Sequence, residues 1–382
     1  LNSSTGFVLV GGTFADGTGT SVSTAGDVNG DGIGDLIIGA DGNFYGVATE
    51  GGAYGYGAVF KITPSGVPTP IMSFSGGTTT DKGAYPYGSL TLGTDGCFYG
   101  TTGYGGGSMY ESGTIFKVTP AGTLTTLLES WDFNNGVNEK GAYLMGGLTI
   151  GPDGSFYGTA SRGGTFDKGL IFKVDAAGQR TTLVNFADNG ELNKGALPQS
   201  APILAGDGFL YGTTVNGGFY DLGTIYELSP AGELFTLVEF TGDGETNKGA
   251  HPYGRLTPGP DGNFYGMTNE GGDNNLGTVF RMTKNGELST LLHFSAAVDG
   301  PGARPTAHLT LAPDGHLYGM ANSGGANDYG TIFRISIEGI TTVLFSFNTD
   351  SGGAPWGGLT VGPGGALFGM TNDGGANDFG TA

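Results

Sequence analysis

The chain has 382 residues, of which 80 are glycine, 17 tyrosine and 24 phenylalanine, and only 13% are charged. Glycine supplies the left-handed positions of tight turns and aromatic residues fill half-buried strand faces, so this composition predicts an all-β protein. The net charge of −20 repels phosphate backbones, and we therefore expect no nucleic acid as partner. No apolar stretch in the sequence is long enough to span a bilayer.

The first motif along the chain is an acidic loop at residues 27–35, Asp-Val-Asn-Gly-Asp-Gly-Ile-Gly-Asp. Calcium takes about six to eight oxygen ligands, which requires acidic or amide side chains on alternate residues and a glycine that bends the loop. The motif therefore predicts a calcium site, the alternative being a solvated acidic turn. The expected ligands are four side chains and one backbone carbonyl, from Asp27, Asn29, Asp31 and Asp35 and from Ile33 respectively.

The hexapeptide Asp-Gly-Asn-Phe-Tyr-Gly at residues 41–46 begins a repeat that runs to the end of the chain. Seven copies start near residues 41, 95, 153, 207, 261, 314 and 364, the last copy being weakened. Their spacings are 54, 58, 54, 54, 53 and 50 residues, which is typical of one propeller blade per unit and too long for leucine-rich or ankyrin repeats.

Each unit contains two predicted hairpins. The short apolar runs at 146–150 and 156–160 are joined by Pro-Asp-Gly at 152–154, and the runs at 113–118 and 123–128 are joined by a second tight turn. One unit therefore predicts four antiparallel strands. A sheet of this kind has two apolar faces and must pack between copies of itself, so we expect a seven-bladed β-propeller.

The two ends of the chain suggest how the ring closes. Residues 380–382 stop where the other units begin a third strand, while the apolar run at 6–10 has no preceding hairpin partner. We expect the N- and C-terminal segments to share one blade of a single domain over 1–382, the alternative being a chain trimmed by chance. Within it, 1–40 differs from the repeats that fill 41–382.

Two family resemblances coincide with this division. The phrase exemplified by Lys-Gly-Ala-His-Pro-Tyr-Gly-Arg-Leu-Thr at 248–257 and Asp-Gly-Asn-Phe-Tyr-Gly at 261–266 resembles the Gloeo/Verruco (GloVer) repeat of bacterial surface and secreted proteins. That resemblance implies propeller-like structure and an extracellular setting, without catalytic residues. Residues 19–40 resemble the FG-GAP blade of integrin-α-type propellers, which implies that the acidic loop binds calcium.

Binding residues are expected where the loops vary. The tight turns of each blade lie on one face of the ring and the variable loops on the other, and a site made by several blades should lie on this variable face. The residue before each Gly-Gly pair changes from blade to blade, and either a binding rim or sequence drift in an unconstrained loop would explain this variation. These residues are Glu50, Tyr104, Arg162, Asn216, Glu270, Ser323 and Asp373. The Phe-Tyr pairs, by contrast, are expected to be core.

A catalytic alternative rests on five residues that fall in equivalent connections of consecutive units: His251, Tyr253, Arg255, Arg304 and His308. Histidine, tyrosine and arginine together could act as base, acid and carboxylate neutraliser in a polysaccharide lyase. The expected function is nevertheless a non-catalytic, calcium-stabilised propeller, secreted or on the cell surface, that presents loops to a glycan or surface protein. The alternatives are a secreted polysaccharide-degrading lyase and a structural or assembly subunit.

Overall fold

A computed structural model describes residues 41–371, apart from 64–67, 77–82, 107–112, 131–132, 135–136, 139–140, 191–192, 243–248, 356, 362–364 and 370, and also the backbone of three short strands nearer the N-terminus. The described residues form strands and turns with no α-helix, which confirms the all-β prediction. They contain no helix that could cross a membrane.

Six four-stranded antiparallel sheets make up most of the described chain and are arranged as propeller blades. We number them 1 to 6, and their strands in chain order are: Ser21–Val22, Phe44–Ala48, Ala58–Ile62 and Pro68–Ser73; Thr91–Leu92, Phe98–Thr102, Thr114–Val118 and Leu124–Glu129; Thr149–Ile150, Phe156–Ala160, Leu170–Val174 and Arg180–Asn185; Ile203–Leu204, Leu210–Thr214, Thr224–Leu228 and Leu234–Glu239; Thr257–Pro258, Phe264–Thr268, Thr278–Met282 and Leu288–His293; Thr310–Leu311, Leu317–Ala321, Thr331–Ile335 and Thr341–Ser346. Three two-stranded ladders accompany them: Gly83–Ala84 with Tyr104–Gly105, Phe133–Asn134 with Val137–Asn138, and Gly249–Ala250 with Glu270–Gly271.

The Phe-Tyr pairs of the repeat lie in the core between blades, as the strand pattern predicted. The ring of Tyr45 stacks 4.2 Å from that of Phe98 in the next blade, and Tyr211 lies 4.4 Å from Phe264 in the same way. All four side chains are buried. Such aromatic pairs stabilise the contact beyond the area they bury, so they join neighbouring blades and leave no sugar-stacking surface there.

The glycine that follows each Phe-Tyr pair has a packing reason. A methyl group at Gly266 would lie 2.4 Å from the ring of Phe280 on the adjacent strand. At Gly158 the corresponding distance to Phe172 is 2.6 Å. In these units the absent side chain makes room for an aromatic ring that folds over the strand, which explains the glycine that ends the motif.

Threonine hydroxyls tie the first strand of one blade to the chain of the next. Thr257 donates to the carbonyl of Leu309 at 2.5 Å, and Thr310 repeats the bond to Leu359 at 2.5 Å. Because these first strands contact one another from blade to blade, they form the inner wall of the propeller, with the fourth strands at its outer edge.

A further four-stranded sheet combines strands from both ends of the described chain. Its order is Thr24–Gly26, Asp35–Leu36, Thr360–Val361 and Leu367–Phe368, with Asp35 pairing in parallel with Val361. The segments 6–10 and 380–382, which were predicted to share a blade, lie outside the described residues. The first strand of blade 1 is Ser21–Val22.

Candidate binding face

The variable face is built on rigid double-glycine loops between the second and third strands. In blade 4, the carboxylate of Asp221 accepts a hydrogen bond from the amide of Gly217 at 2.7 Å, and the amide of Gly223 donates to the Gly217 carbonyl at 3.1 Å. Asp221 has a positive φ of 56°. Equivalent side chains close the loops of blades 3, 5 and 6: Asp167, Asn275 and Asp328.

In blades 1, 3, 4 and 5, the last residue of the fourth strand holds the same loop from the other side. In blade 4, Glu239 accepts a hydrogen bond from the amide of Phe219 at 2.6 Å and pairs with Lys194 at 2.6 Å. Asn185 in blade 3 and His293 in blade 5 accept from the corresponding amides. The loop backbone is therefore fixed at both ends of a two-residue tip.

The tips of blades 1, 3 and 4 expose aromatic side chains. Phe219 is 78% exposed and Tyr220 56% exposed, with their rings in an edge contact at 5.0 Å. At the corresponding tips of blades 1 and 3, Tyr54 is 61% and Phe166 57% exposed. The exposed residues therefore follow each Gly-Gly pair, whereas the predicted rim residue precedes it. The pattern Gly-Gly-x-x-Asp/Asn recurs in blades 3 to 6 and could have identified the tips of those blades.

Between blades the chain passes through a left-handed residue that docks onto both neighbours. His251 has a φ of 55° although it precedes Pro252, where an extended conformation is usual. Its amide donates to the Leu222 carbonyl at 2.8 Å, and its carbonyl accepts from the Asn269 amide at 3.1 Å. In the part of the chain that the structure describes, six connections share this conformation: Tyr85, Tyr143, Leu197, His251, Arg304 and Ala354.

On one side of the variable face, this arrangement assembles five half-buried tyrosines from blades 1 to 3, which we call the tyrosine cluster: Tyr56, Tyr85, Tyr87, Tyr104 and Tyr143. Tyr104 is central to it, with edge contacts to Tyr85 at 5.5 Å and Tyr143 at 5.2 Å. Burial, together with the neighbouring Tyr104, raises the pKa of Tyr87 to about 12, so its hydroxyl stays protonated at neutral pH.

On the other side, three of the five predicted catalytic residues surround Glu270. His251 Nε2 lies 3.9 Å and Arg304 Nη1 3.3 Å from the Glu270 carboxylate, while His251 Nδ1 is 2.9 Å from the Val215 carbonyl. Burial and the charge of Glu270 raise the pKa of Tyr253. Glu270, predicted as a residue of the variable rim, thus lies between two basic side chains, a contact that its place in the sequence does not reveal.

The remaining two predicted residues, Arg255 and His308, lie deeper along the inner wall. They occupy the same position in blades 5 and 6, and both are half-buried. Burial lowers the pKa of Arg255 to about 10. The pKa of His308 is well below its usual value because of burial and the nearby charge of Arg255. The five candidates are thus divided between a rim cluster and an inner pair.

The predicted calcium loop falls mostly on residues 27–34, outside the described residues, and of Asp35 only the backbone is described. The strands that flank the loop are paired, Gly26 with Asp35, so the two ends of this segment meet. Among the residues that the structure describes, no group of three or more histidine, cysteine, aspartate or glutamate side chains could hold a metal ion.

Comparison with known proteins agrees with the repeat and the fold. The profile of the Gloeobacter/Verrucomicrobia repeat matches residues 6–145, 106–301 and 299–382. A putative 6-phosphogluconolactonase from Bacteroides uniformis ATCC 8492 is similar in structure, with 18% identity, a TM-score of 0.53, and coverage of 86% of this chain and 89% of that chain. A putative 6-phosphogluconolactonase from Bacteroides fragilis NCTC 9343 is also similar, with 18% identity, a TM-score of 0.51, and coverage of 86% of this chain and 87% of that chain. At this identity the similarity shows the fold alone. A search of curated proteins found no match.

Proposed function

Since the chain belongs to the Gloeobacter/Verrucomicrobia repeat family, we propose that it is a non-catalytic glycan-binding propeller that acts outside the cell, secreted or on the cell surface. The observation that carries this proposal is the set of exposed aromatic side chains on the closed tips of the variable face, Phe219 and Tyr220 above all. The extracellular setting follows the family resemblance of the repeat.

Exposed rings on fixed loops are suited to sugar recognition. An aromatic ring offers a flat apolar surface to the C–H face of a pyranose, and a tyrosine adds a hydroxyl for hydrogen bonding. Because the loop backbone around Phe219 and Tyr220 is already closed by Asp221 and Glu239, binding orders little beyond the side chains. Repetition on blades 1 and 3 would let one extended glycan contact several tips, which increases avidity.

The proposal includes a closed ring of seven blades. Seven copies of the hexapeptide and the sheet that joins Asp35–Leu36 to Thr360–Val361 support a seventh blade made from both ends of the chain. A closed ring would leave no first and last blade with an uncovered apolar face.

Calcium is part of the same proposal. The donor set of the acidic loop consists of hard oxygen ligands on alternate residues, which fits the preference of this ion, and the pairing of Gly26 with Asp35 brings the ends of the loop together. This agrees with the FG-GAP resemblance of residues 19–40. The expected ligands remain Asp27, Asn29, Asp31, Asp35 and the carbonyl of Ile33, and the ion would stabilise the N-terminal segment.

A glycan-array screen of the wild-type protein, followed by titration of the best ligand, tests the proposal. We expect the double variant with Phe219→Ala and Tyr220→Ala to lose at least about tenfold in affinity, as two stacking contacts disappear. Phe235→Ala is the matched control, because this ring is 48% exposed on the outer strand of the same blade. No bound glycan, or equal losses in both variants, would contradict the proposal; capture of a protein partner alone would favour the protein-binding alternative.

The cluster of His251, Arg304 and Glu270 is the one observation that favours a second function, a uronate-cleaving lyase. Against it, the charge of Arg304 is already offset by Glu270 at 3.3 Å, so it is poorly placed to neutralise a substrate carboxylate. We expect no new unsaturated ends when the protein is incubated with a panel of uronic-acid polysaccharides. Turnover that disappears in His251→Ala would establish the lyase instead.

A further inference from the structure

The inner wall of the propeller carries an uneven distribution of side chains near its axis. At the position four residues after the left-handed connection, blades 5 and 6 have Arg255 and His308. The same position is occupied elsewhere by small residues: Ser89, Gly147, Ala201 and Gly358. At this one position, therefore, only blades 5 and 6 carry long side chains that can be positively charged.

Consecutive inner segments are close enough for these side chains to meet. A methyl group at Gly254 would lie 2.1 Å from the Ala307 carbonyl of the next blade. One at Gly358 would lie 2.3 Å from Cε1 of His308. The His308 ring is thus packed against the chain that follows, with Arg255 on the preceding segment. The small residue at 358 makes room for the ring.

Two polar atoms on the same segment have no hydrogen-bond partner. His308 Nε2 and Thr306 Oγ1 are both buried from solvent and unbonded. Thr306 and His308 are half-buried while Pro305, Ala307 and Leu309 are buried, so the two polar side chains lie on the same side of the segment, with their unbonded atoms covered by neighbouring groups. An unsatisfied buried polar group costs about 1–3 kcal/mol, and two of them beside an arginine require an explanation.

We propose that Arg255, Thr306 and His308 form a binding site for a small oxyanion, the carboxylate or phosphate group of a ligand that enters the propeller from its variable face. Arginine offers planar paired donors that match both groups, and a hydroxyl and an imidazole N–H would supply two further hydrogen bonds. A ligand oxygen would satisfy the atoms that the protein leaves unbonded. Burial strengthens such contacts, because the low dielectric of the interior weakens screening.

This site is separate from the exposed aromatic tips and does not depend on the proposed function. Its residues follow the left-handed connections that mark the variable face by two to four positions along the chain. It also differs from the rim cluster, where Glu270 already occupies the space between His251 and Arg304.

The test is an NMR titration of the four histidines of the chain, with His308→Gln used to assign the signal of His308. The probes are inorganic phosphate and sodium glucuronate, with glucose as the uncharged control. A bound anion favours imidazolium, so we expect it to raise the pKa of His308 by about one unit or more while those of His251, His293 and His316 move less. A response to only one probe would identify the group that the site prefers.

Arginine variants then test whether Arg255 takes part in the anion binding that His308 reports. Arg255→Gln should weaken binding of the active probe about tenfold, whereas Arg281→Gln removes the same charge from another strand of blade 5 and should leave binding within twofold. An unchanged His308 pKa at saturating phosphate and glucuronate would overturn the proposal. So would equal shifts of all four histidines, or equal effects of the two arginine variants, because both would indicate general ionic attraction.

Discussion

The closed loop of blade 4 makes a measurable prediction for Asp221→Ala. Asp221 contributes in two ways: its carboxylate accepts the Gly217 amide at 2.7 Å, and it adopts a φ of 56° that alanine disfavours. An exposed hydrogen bond is worth about 1 kcal/mol, and the left-handed conformation costs an ordinary residue about 1 kcal/mol or slightly more. The substitution should therefore favour loop opening by about 2 kcal/mol, or roughly 30-fold.

Amide hydrogen exchange measures this opening directly. We expect the Gly217 amide, which loses its acceptor, to exchange roughly 30-fold faster in Asp221→Ala, with a similar change at Gly223, whose bond closes the same loop. Asp221→Asn is the matched control, since Asn275 closes the equivalent loop of blade 5 at 2.9 Å with a φ of 53°. It should stay within a few-fold of the wild type.

The outcome also bears on binding. If the tip is prearranged, Asp221→Ala should weaken glycan binding without removing either aromatic ring, because ordering the loop then costs part of the binding free energy. Wild-type exchange in Asp221→Ala would refute the idea that this side chain fixes the loop. Equal acceleration in Asp221→Asn would refute the claim that geometry, and not charge, is what the position requires.

Three further predictions concern packing, pH and metal. Gly266→Ala should lower the free energy of unfolding by about 1–3 kcal/mol, since the added methyl meets the Phe280 ring. Gly206→Ala, whose methyl would meet no atom within 4 Å, should be nearly neutral or slightly stabilising. Urea denaturation of both variants measures the difference, and equal effects would contradict the packing argument. Although burial alone would raise the pKa of Asp95, hydrogen bonds from its lysine partner, the backbone and a tyrosine hydroxyl lower it to about 2. Its stabilising contribution is therefore complete above the ordinary carboxyl pKa of about 4 and is lost as the pH falls towards 2. Asp95→Asn should flatten the curve of unfolding free energy against pH in that window. Parallel curves for the variant and the wild type would refute the assignment. A chelator should lower the melting temperature of the wild type but not of Asp31→Ala, and identical melts with and without chelator would argue against calcium.

Much of the fold could be predicted because it depends on local patterns that repeat. The short apolar run at 264–268 specified a strand, and the Asp-Gly turn before it specified the hairpin. The interblade role of the aromatic pairs followed from the two covered faces of each sheet, and the contact of Tyr211 with Phe264 confirms it. These features need only the nearest neighbours along the chain or the next copy of the unit.

The binding face was less accessible to sequence analysis because its geometry depends on backbone conformations that composition does not reveal. Nothing in the letters of His251-Pro252 indicates a left-handed residue, since histidine before proline is normally extended. That conformation is what directs His251 towards Glu270, a residue of a different loop. The tyrosine cluster likewise combines residues from three units that are far apart in the sequence.

The buried positions between blades and the exposed loop tips have different physical roles. This is why one chain can combine a uniform scaffold with a varied surface. The blade contacts of Tyr45 with Phe98 and of Thr257 with Leu309 use buried groups whose change would cost packing energy. The tips at Phe219 and Tyr220 are held by hydrogen bonds that involve their backbone and neighbouring residues, not their own side chains. A tip side chain can therefore change with little effect on stability, so an altered tip should change the ligand preference of the propeller before it changes the fold.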